Sequence, residues 1–267
     1  MPELPEVETV VRTLRPHLVG RKIERVNLVR ADILTPPGLD LSKKLLGRIV
    51  KTIDRRGKRI VIALDTGERF YVHLGMTGQL TAESPHAPPR PHTHLILDTP
   101  DVQIRFRDSR RFGGVWWLGN ESPDQRMGPE PLTLRTPQLA KRLSSTSRAI
   151  KVSLLDQQLI AGLGNIYVDE ALFAAKIHPL TPANKLDATQ IAKLNRAIKK
   201  TLSSAIKYRG STLRDYRDAS GKSGGFQHQH KVYDRAGDPC RGCKSSISRI
   251  VLGGRSTHFC PNCQQLK

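Results

Sequence analysis

Four cysteines near the C-terminus have the spacing of a metal site. They form two Cys-x2-Cys pairs, Cys240 with Cys243 and Cys260 with Cys263, and the chain has no other cysteine. Two such knuckles, each donating two thiolates, close a tetrahedron around zinc, and four thiolates leave no position for a catalytic water. Two disulfides are the alternative, which a reducing cytosol disfavours. The spacing therefore predicts a structural zinc ribbon, whose short hairpin depends on the metal for its stability.

The first residues of the chain could supply a nucleophile. Removal of Met1 would expose Pro2 as a secondary amine with a pKa of about 8. Its attack on an aldehyde carbon gives an iminium ion that stays cationic and favours β-elimination. Glu3 or Glu6 could then act as general acid or base. A plainer alternative stays open, because proline is common at position 2 and acidic residues often cap helices.

The charge of the chain indicates its partner. Among 267 residues, 44 are Lys or Arg and 24 are Asp or Glu, which gives a formal charge of +20. Such an excess predicts a polyanion, since each phosphate that Lys or Arg neutralises releases condensed counterions. Nucleic acid is the first candidate, and an anionic membrane surface is the rival. We find neither the long basic amphipathic helix nor the lipidation motif that would favour a membrane.

The composition excludes two classes of protein. Hydrophobic residues make up 37% of the chain, enough for a core, so global disorder is excluded. No apolar run approaches the roughly 18 residues that cross a bilayer. The acidic start, Met-Pro-Glu-Leu-Pro-Glu, is also unlike a secretory signal. We therefore expect a cytoplasmic protein.

The hydrophobic pattern changes along the chain and predicts the elements that carry these residues. Apolar positions at helical spacing predict a helix over 4–18, with Pro5 in its first turn. Short β-branched runs between about 22 and 119 predict a sandwich or barrel. A proline-rich stretch, 82–91, is expected to be a surface loop. The predicted strands are 49–53, 59–64, 70–74, 95–97, 102–106 and 115–118.

The second half of the chain is predicted to be mainly helical. The Pro-rich stretch 128–131 marks a boundary between domains. Beyond it, an apolar stripe from Ile191 to Ala205 predicts a basic helix of about twenty residues. Residues 209–229 are rich in Gly and Ser and are expected to form a long mobile loop.

Several short motifs follow one another along the chain. They lie at 1–8, 73–78, 108–113, 155–157, 162–167 and 255–257. In this order they resemble the formamidopyrimidine-DNA glycosylase family, and the resemblance covers essentially the whole chain. It implies an α+β fold of two domains. These are an N-terminal helix plus β-sandwich (1–130), and a C-terminal helical helix-two-turns-helix domain (131–229) with a four-cysteine zinc ribbon (230–267).

The resemblance also implies a function. The family's enzymes are bifunctional DNA glycosylases and abasic-site lyases of base excision repair. They remove 8-oxoguanine opposite cytosine and formamidopyrimidines, and they cleave the strand by β,δ-elimination. The implied partner is damaged double-stranded DNA and the implied state a monomer, with one structural zinc per chain and no redox or nucleotide cofactor.

Particular residues match the family's functional positions. Pro2 matches its nucleophile and Glu3 the acid that helps to expel the base. Lys58 matches a lysine that assists proton transfer, and Arg255 a ribbon arginine associated with δ-elimination. Met76, Arg110 and Phe112 match the wedge that fills the gap left by a flipped nucleotide. The other DNA-facing matches are His73, His92, Arg111, Lys151 and Asn165.

One segment departs from the family's pattern, and another corresponds to the family only as a segment. Residues 145–148 replace a lysine-rich run of some members, which puts one backbone contact in doubt. Residues 217–225 correspond to a segment that folds over the extruded base, but no side chain there identifies the lesion. The alternatives are an endonuclease VIII-like enzyme for oxidised pyrimidines and a non-catalytic zinc-ribbon DNA-binding module.

Overall fold

The computed structural model describes residues 1–123 and 126–266. The chain divides into two compact units, Met1–Gln125 with Tyr208–Gly225, and Arg126–Lys207 with Phe226–Lys267. The boundaries predicted from the sequence instead place Tyr208–Gly225 in the helical domain, 131–229. The structure groups Tyr208–Gly225 with the first unit because Tyr216 and Ala219 are buried in that unit's hydrophobic core.

The first unit begins with helix α1, Leu4–Leu18, as the apolar spacing predicts. Its inward face includes Val7, Val10 and Leu14, each at most 1% exposed. The backbone N–H of Glu3, which lies just before the helix, donates to the Glu6 carboxylate at 2.8 Å. This satisfies a donor that the first turn of a helix would otherwise leave unpaired. The start of the chain is thereby held against the core.

Two sheets form the sandwich of the first unit. In chain order the strands are β1 (Arg25–Leu28), β2 (Leu34–Thr35), β3 (Val50–Arg56), β4 (Arg59–Leu64), β5 (Arg69–His73), β6 (Gln79–Glu83), β7 (Thr93–Asp98), β8 (Gln103–Arg107) and β9 (Gly114–Gly119). One sheet has the order β1-β7-β8-β6 and the other β2-β9-β5-β4-β3. All pairs are antiparallel except β2 with β9. A short helix, α2 (Leu41–Leu45), lies between β2 and β3.

The six predicted strands are present, with ends shifted by up to three residues. The prediction missed three edge strands, β1 and β6 at the two edges of the four-stranded sheet and β2 at an edge of the five-stranded sheet. It was also wrong to place Ala82 and Glu83 in a surface loop. Edge strands carry polar residues that discourage pairing with other chains. Their sequences therefore lack the apolar signal of a central strand.

The second unit is mainly helical. Its helices are α3 (Thr136–Ser144), α4 (Ile150–Leu155), α5 (Asn165–Ala175) and α6 (Ala188–Lys207), and α6 matches the predicted twenty-residue helix. A hairpin of β10 (Ser248–Leu252) and β11 (Arg255–Phe259) lies between the two cysteine pairs. None of the helices in the described part of the chain has the length and hydropathy that a bilayer crossing requires.

The predicted mobile loop is a packed segment over much of its length. It has neither helix nor strand from 210 to 225, in agreement with the prediction, and a short 3-10 turn follows at Phe226–Gln229. Asp218 is fully buried, and its carboxylate accepts the backbone N–H groups of Ser220 and Lys222 at 2.9 Å. The segment is therefore held by its own hydrogen bonds and by the core of the first unit.

Candidate functional site

The start of the chain is buried rather than exposed. Pro2 is buried, and Glu3 is 3% exposed. Glu6, which the sequence offered as a second acid or base, is 1% exposed, and its two carboxylate oxygens accept N–H groups from Glu3 and Ser211 at 2.8 and 2.7 Å. A carboxylate engaged in this way acts as an anchor. It fixes the beginning of α1 to the segment 208–225.

Gly210 allows this close contact. Its φ of +77° is in the left-handed region, and a Cβ there would lie 2.6 Å from a Glu6 carboxylate oxygen. Any larger residue would therefore displace the carboxylate as well as strain the backbone.

Lys58 lies in the turn between β3 and β4 and is only 8% exposed, so it is not a solvated surface charge. Its charge acts on His73, the last residue of β5. Burial is the main cause that lowers the pKa of His73 to about 4, and the charges of Lys58 and Arg59 lower it further. The imidazole is therefore neutral at pH 7. Its Nδ1 accepts the N–H of Gly75 at 3.0 Å, so Nε2 carries the proton.

His73 makes the stability of the protein depend on pH. Its native pKa lies below the ordinary value of 6.5, so the unfolded chain binds more protons as the pH falls from 6.5 towards 4. We expect the Tm to fall over this range, and to fall less in His73→Gln, which does not titrate. Thermal unfolding at pH 7.5 and 5 checks this, with the exposed His86→Gln as control. Equal pH dependence in wild type and His73→Gln would contradict it.

Two neighbouring loops present exposed apolar side chains. Met76, in the turn after β5, is 42% exposed, and Phe112, between β8 and β9, is 56% exposed. The guanidinium carbon of Arg110 lies 4.6 Å from the centre of the Phe112 ring. The two loops touch through their backbones, since a Cβ on Gly75 would lie 2.4 Å from the nitrogen of Gly113. The predicted wedge residues thus project from two loops in direct contact.

Arg111 and His92 are exposed residues in an unusual backbone conformation. Their φ values are +54° and +66°, which residues other than glycine rarely adopt. Such conformations are concentrated at functional sites, where the surrounding structure maintains them. Arg111 also forms an ion pair with Asp32 at 2.6 Å. Arg111 lies between Arg110 and Phe112 in the wedge loop, and the carbonyl of His92 accepts the backbone N–H of Asp108, at the start of that loop, at 3.0 Å.

In the second unit, Asn165 connects α5 to the ribbon hairpin. Asn165 is the first residue of α5, and its Nδ2 donates to the carbonyl of Ser256 at 2.8 Å. Its Oδ1 is buried without a hydrogen-bond partner among the described residues. The neighbouring Arg255 is exposed at the start of β11. A helix N-terminus and an arginine are thus held near each other, and both favour anions.

The side chain of Lys151, which the resemblance predicts to face DNA, is buried in the second unit. Lys151 is 0% exposed, and its Nζ lies 2.5 Å from the Asp169 carboxylate and 3.2 Å from the carbonyl of Asn165. The other Asp169 oxygen accepts the backbone N–H of His258 at 2.9 Å. A buried charge requires such partners. Lys151 therefore joins α4 to α5, and through Asp169 to the ribbon strand.

Sequence reasoning missed the neighbouring acid, Glu170. It is 4% exposed, and its carboxylate accepts the backbone N–H groups of Lys231, Val232 and Tyr233 at 2.9–3.0 Å. Burial raises the pKa of Glu170 above its usual value, and these hydrogen bonds only partly offset that rise. The available signal was the Asp169-Glu170 pair on a helix that is otherwise apolar. Both acids fasten the ribbon to α5.

The four cysteines are arranged as a metal site. Their sulfurs all lie within 4.8 Å of one another, and all four cysteines are free, so the alternative of two disulfides is wrong. Cys243 and Cys260 sulfurs are 3.4 Å apart, and those of Cys240 and Cys263 are 4.0 Å apart. A tetrahedral zinc with bonds of about 2.3 Å places its sulfurs roughly 3.8 Å apart. The four residues therefore fit a zinc ion held by four thiolates.

Three family descriptions match the chain in sequence. Residues 1–115 match the formamidopyrimidine-DNA glycosylase N-terminal domain, and residues 127–217 match the formamidopyrimidine-DNA glycosylase H2TH domain. Residues 237–266 match a zinc finger found in FPG and IleRS. Together they span both units.

Full-length relatives agree with these matches. The formamidopyrimidine-DNA glycosylase of Chloroflexus aggregans is 46% identical over 100% of this chain and 99% of its own length. That of Bacillus subtilis is 43% identical, with 100% of both chains covered. The MutM (Fpg) protein of Thermus thermophilus has a TM-score of 0.89 at 39% identity, covering all of both chains. Lactococcus lactis Fpg, in complex with DNA containing an abasic site, has a TM-score of 0.92 at 37% identity, covering 99% of this chain and 100% of its own.

Proposed function

Because this chain belongs to the formamidopyrimidine-DNA glycosylase family and is a DNA-repair glycosylase, we propose that it excises oxidised purines in base excision repair. Its proposed substrates are 8-oxoguanine opposite cytosine and formamidopyrimidines, and it then cleaves the strand by β,δ-elimination. The observation that carries the proposal is the buried Pro2-Glu3 start, which Glu6 anchors to the first unit. Removal of Met1 leaves a secondary amine beside a carboxyl group, the pair that this chemistry needs.

The proposed reaction begins with attack of the Pro2 nitrogen on C1′ of the flipped nucleotide. The bond to the base breaks and the sugar ring opens, and the departing base and the ring oxygen take up two protons, one from Glu3 and one released by the Pro2 nitrogen. The resulting iminium ion accepts the electrons released when a proton leaves C2′, and the 3′ phosphate departs. A second elimination expels the 5′ phosphate and leaves a one-nucleotide gap. We assign proton transfer to Lys58, and phosphate stabilisation in the second elimination to Arg255.

We propose that one set of residues reads the bases of the DNA and that another set positions the protein on the phosphate backbone. Met76 and Phe112 enter the stack, and Arg110 donates hydrogen bonds to the orphaned cytosine. His92, Arg111 and Asn165 contact the phosphate backbone, and the neutral His73 can donate from Nε2. Zinc is proposed as the metal of the cysteine site. Bound there, it holds the ribbon hairpin that presents Arg255 and takes no part in the chemistry.

The cellular setting is proposed on the same basis. A monomer is proposed as the active form, because the residues assigned above supply every role in the proposed reaction without a second copy of the chain. The relatives are bacterial proteins, and chromosomal DNA lies in the bacterial cytoplasm. The protein is therefore proposed to act there, bound to the nucleoid.

Cleavage of defined duplexes tests the function. Duplexes carry 8-oxoguanine or dihydrothymine opposite each of the four bases, with undamaged DNA as control. We expect fastest cleavage at 8-oxoguanine opposite cytosine, with phosphate on both ends of the gap. Preference for dihydrothymine would indicate an oxidised-pyrimidine enzyme instead. Binding without cleavage of any duplex would indicate a non-catalytic DNA-binding module.

A further inference from the structure

A buried carboxylate lies beneath the two loops that carry the wedge residues. Asp108 is 0% exposed and follows β8 at the start of the loop that leads to Phe112. Its Oδ2 accepts the backbone N–H of Gly113 at 2.8 Å, and its Oδ1 accepts that of Arg110 at 3.2 Å. The two donors lie on either side of Phe112. The Asp108 carboxylate therefore fixes the backbone on both sides of Phe112, whose aromatic side chain the loop exposes.

The same carboxylate reaches the other loop. The Thr77 hydroxyl donates to Asp108 Oδ1, and the Thr77 oxygen in turn accepts the backbone N–H of Arg110 at 3.2 Å. Thr77 follows Met76 directly, so Asp108 is linked through one hydroxyl to the turn that carries Met76. One buried acceptor thus joins both halves of the wedge.

The backbone of Asp108 is fixed as well. Its N–H donates to the carbonyl of His92 at 3.0 Å. Its carbonyl lies 2.8 Å from Nε2 of the buried His94, which must be the donor because a carbonyl can only accept. The backbone of Asp108 is therefore hydrogen-bonded to β7 and to the residue just before it, so its position does not depend on the two loops.

The surrounding glycines leave the loops no space to shift independently. A Cβ on Gly113 would lie 2.5 Å from the carbonyl oxygen of His73 in the other loop, and one on Gly75 would lie 2.4 Å from the nitrogen of Gly113. Close backbone packing of this kind transmits a displacement of one loop to the other. The exposed Met76 and Phe112 are consequently carried on two loops that pack against each other, and the buried carboxylate of Asp108 is hydrogen-bonded to both loops.

We propose that Asp108 is a positioning residue for base flipping, and that it fixes the two loops as a single preorganised wedge without touching DNA. The inference rests on the proposed function, because it explains how the loops of the proposed wedge are held in place. A loop that is already ordered loses less conformational freedom when it inserts into the stack. Loss of the carboxylate should therefore slow the steps that need insertion and spare those that do not.

Asp108→Asn and Thr77→Val test the proposal. The asparagine keeps the size of the side chain but loses one acceptor and the charge. We expect single-turnover excision of 8-oxoguanine opposite cytosine to fall about tenfold or more, as for the loss of a charge-assisted hydrogen bond. Fluorescence of 2-aminopurine beside the lesion, which reports unstacking, should rise more slowly. Borohydride trapping on DNA with a preformed abasic site should stay within about twofold of wild type.

Conservative variants separate positioning from folding. Thr77→Val removes the hydroxyl that joins the loops and should show the same pattern, whereas Thr77→Ser, which restores it, should recover excision. Asp101→Asn, an exposed acid in the β7–β8 turn, is the control for removing a carboxylate. If Asp108→Asn does not fold, the Thr77 pair still decides the question.

The outcomes distinguish the inference from the function on which it rests. If wild type excises no oxidised purine, the proposed function fails and the wedge assignment fails with it. If wild type is active but Thr77→Val and Asp108→Asn excise at the wild-type rate, Asp108 does not position the wedge. Equal loss of excision and of abasic-site trapping, together with a lower Tm, would show a purely structural role and also overturn the proposal.

Discussion

A form of the protein that keeps Met1 is expected to give no covalent complex when borohydride is added with abasic DNA. Pro2 is then part of a peptide bond, and an amide nitrogen is not a nucleophile. Pro2→Gly should give much less trapped complex as well, because the imine of its primary amine can shed its proton, and borohydride reduces a neutral imine more slowly than an iminium ion. The measurement is the amount of trapped complex on a denaturing gel.

Binding provides the control for this experiment. Both forms should keep their affinity for DNA with a stable abasic-site analogue, because the residues proposed to contact phosphates are unchanged. Undiminished trapping in either form would move the nucleophile elsewhere, and the buried Lys58 would be the next candidate. Loss of both trapping and binding would instead point to disruption of the start of α1.

Cys243→Ser is expected to lose about one zinc per chain and most of the affinity for DNA. Structural zinc in small ribbons contributes about 10–16 kcal/mol of binding free energy, which is also folding free energy. Without it, the hairpin that carries Arg255 has little core to hold it. Metal analysis and DNA titration at one salt concentration check the two losses together.

Ser246→Ala is a matched control for Cys243→Ser. Ser246 is exposed in the same part of the ribbon but supplies no sulfur, so its removal should leave zinc content and affinity unchanged. Zinc absent from the wild-type protein would contradict the metal assignment. A Cys243→Ser variant that binds DNA normally would instead remove the ribbon from the proposed interface.

Several features followed from the sequence alone because they depend on neighbours along the chain. The apolar period of α1 and the stripe of α6 predict helices from spacing within a few turns. The four cysteines are diagnostic by their spacing, since each knuckle is a local structure. Met76 and Phe112, which match the family's wedge in sequence, are exposed in their loops. Local patterns of this kind do not depend on the rest of the fold.

The roles of the buried charged residues were decided only by tertiary structure. Lys151 and Glu6 have the same chemistry as any exposed lysine or glutamate, and the sequence carried no signal that Asp169 or Ser211 would occupy them. Asp108 is likewise defined by donors from two loops about thirty residues apart in the chain. Burial in a medium of low dielectric obliges each charge to find a partner, and the partner is chosen by the packing of distant segments. The amino-acid sequence therefore determined which side chains could do chemistry. The tertiary structure decided which charged side chains are buried and hold the functional residues in place.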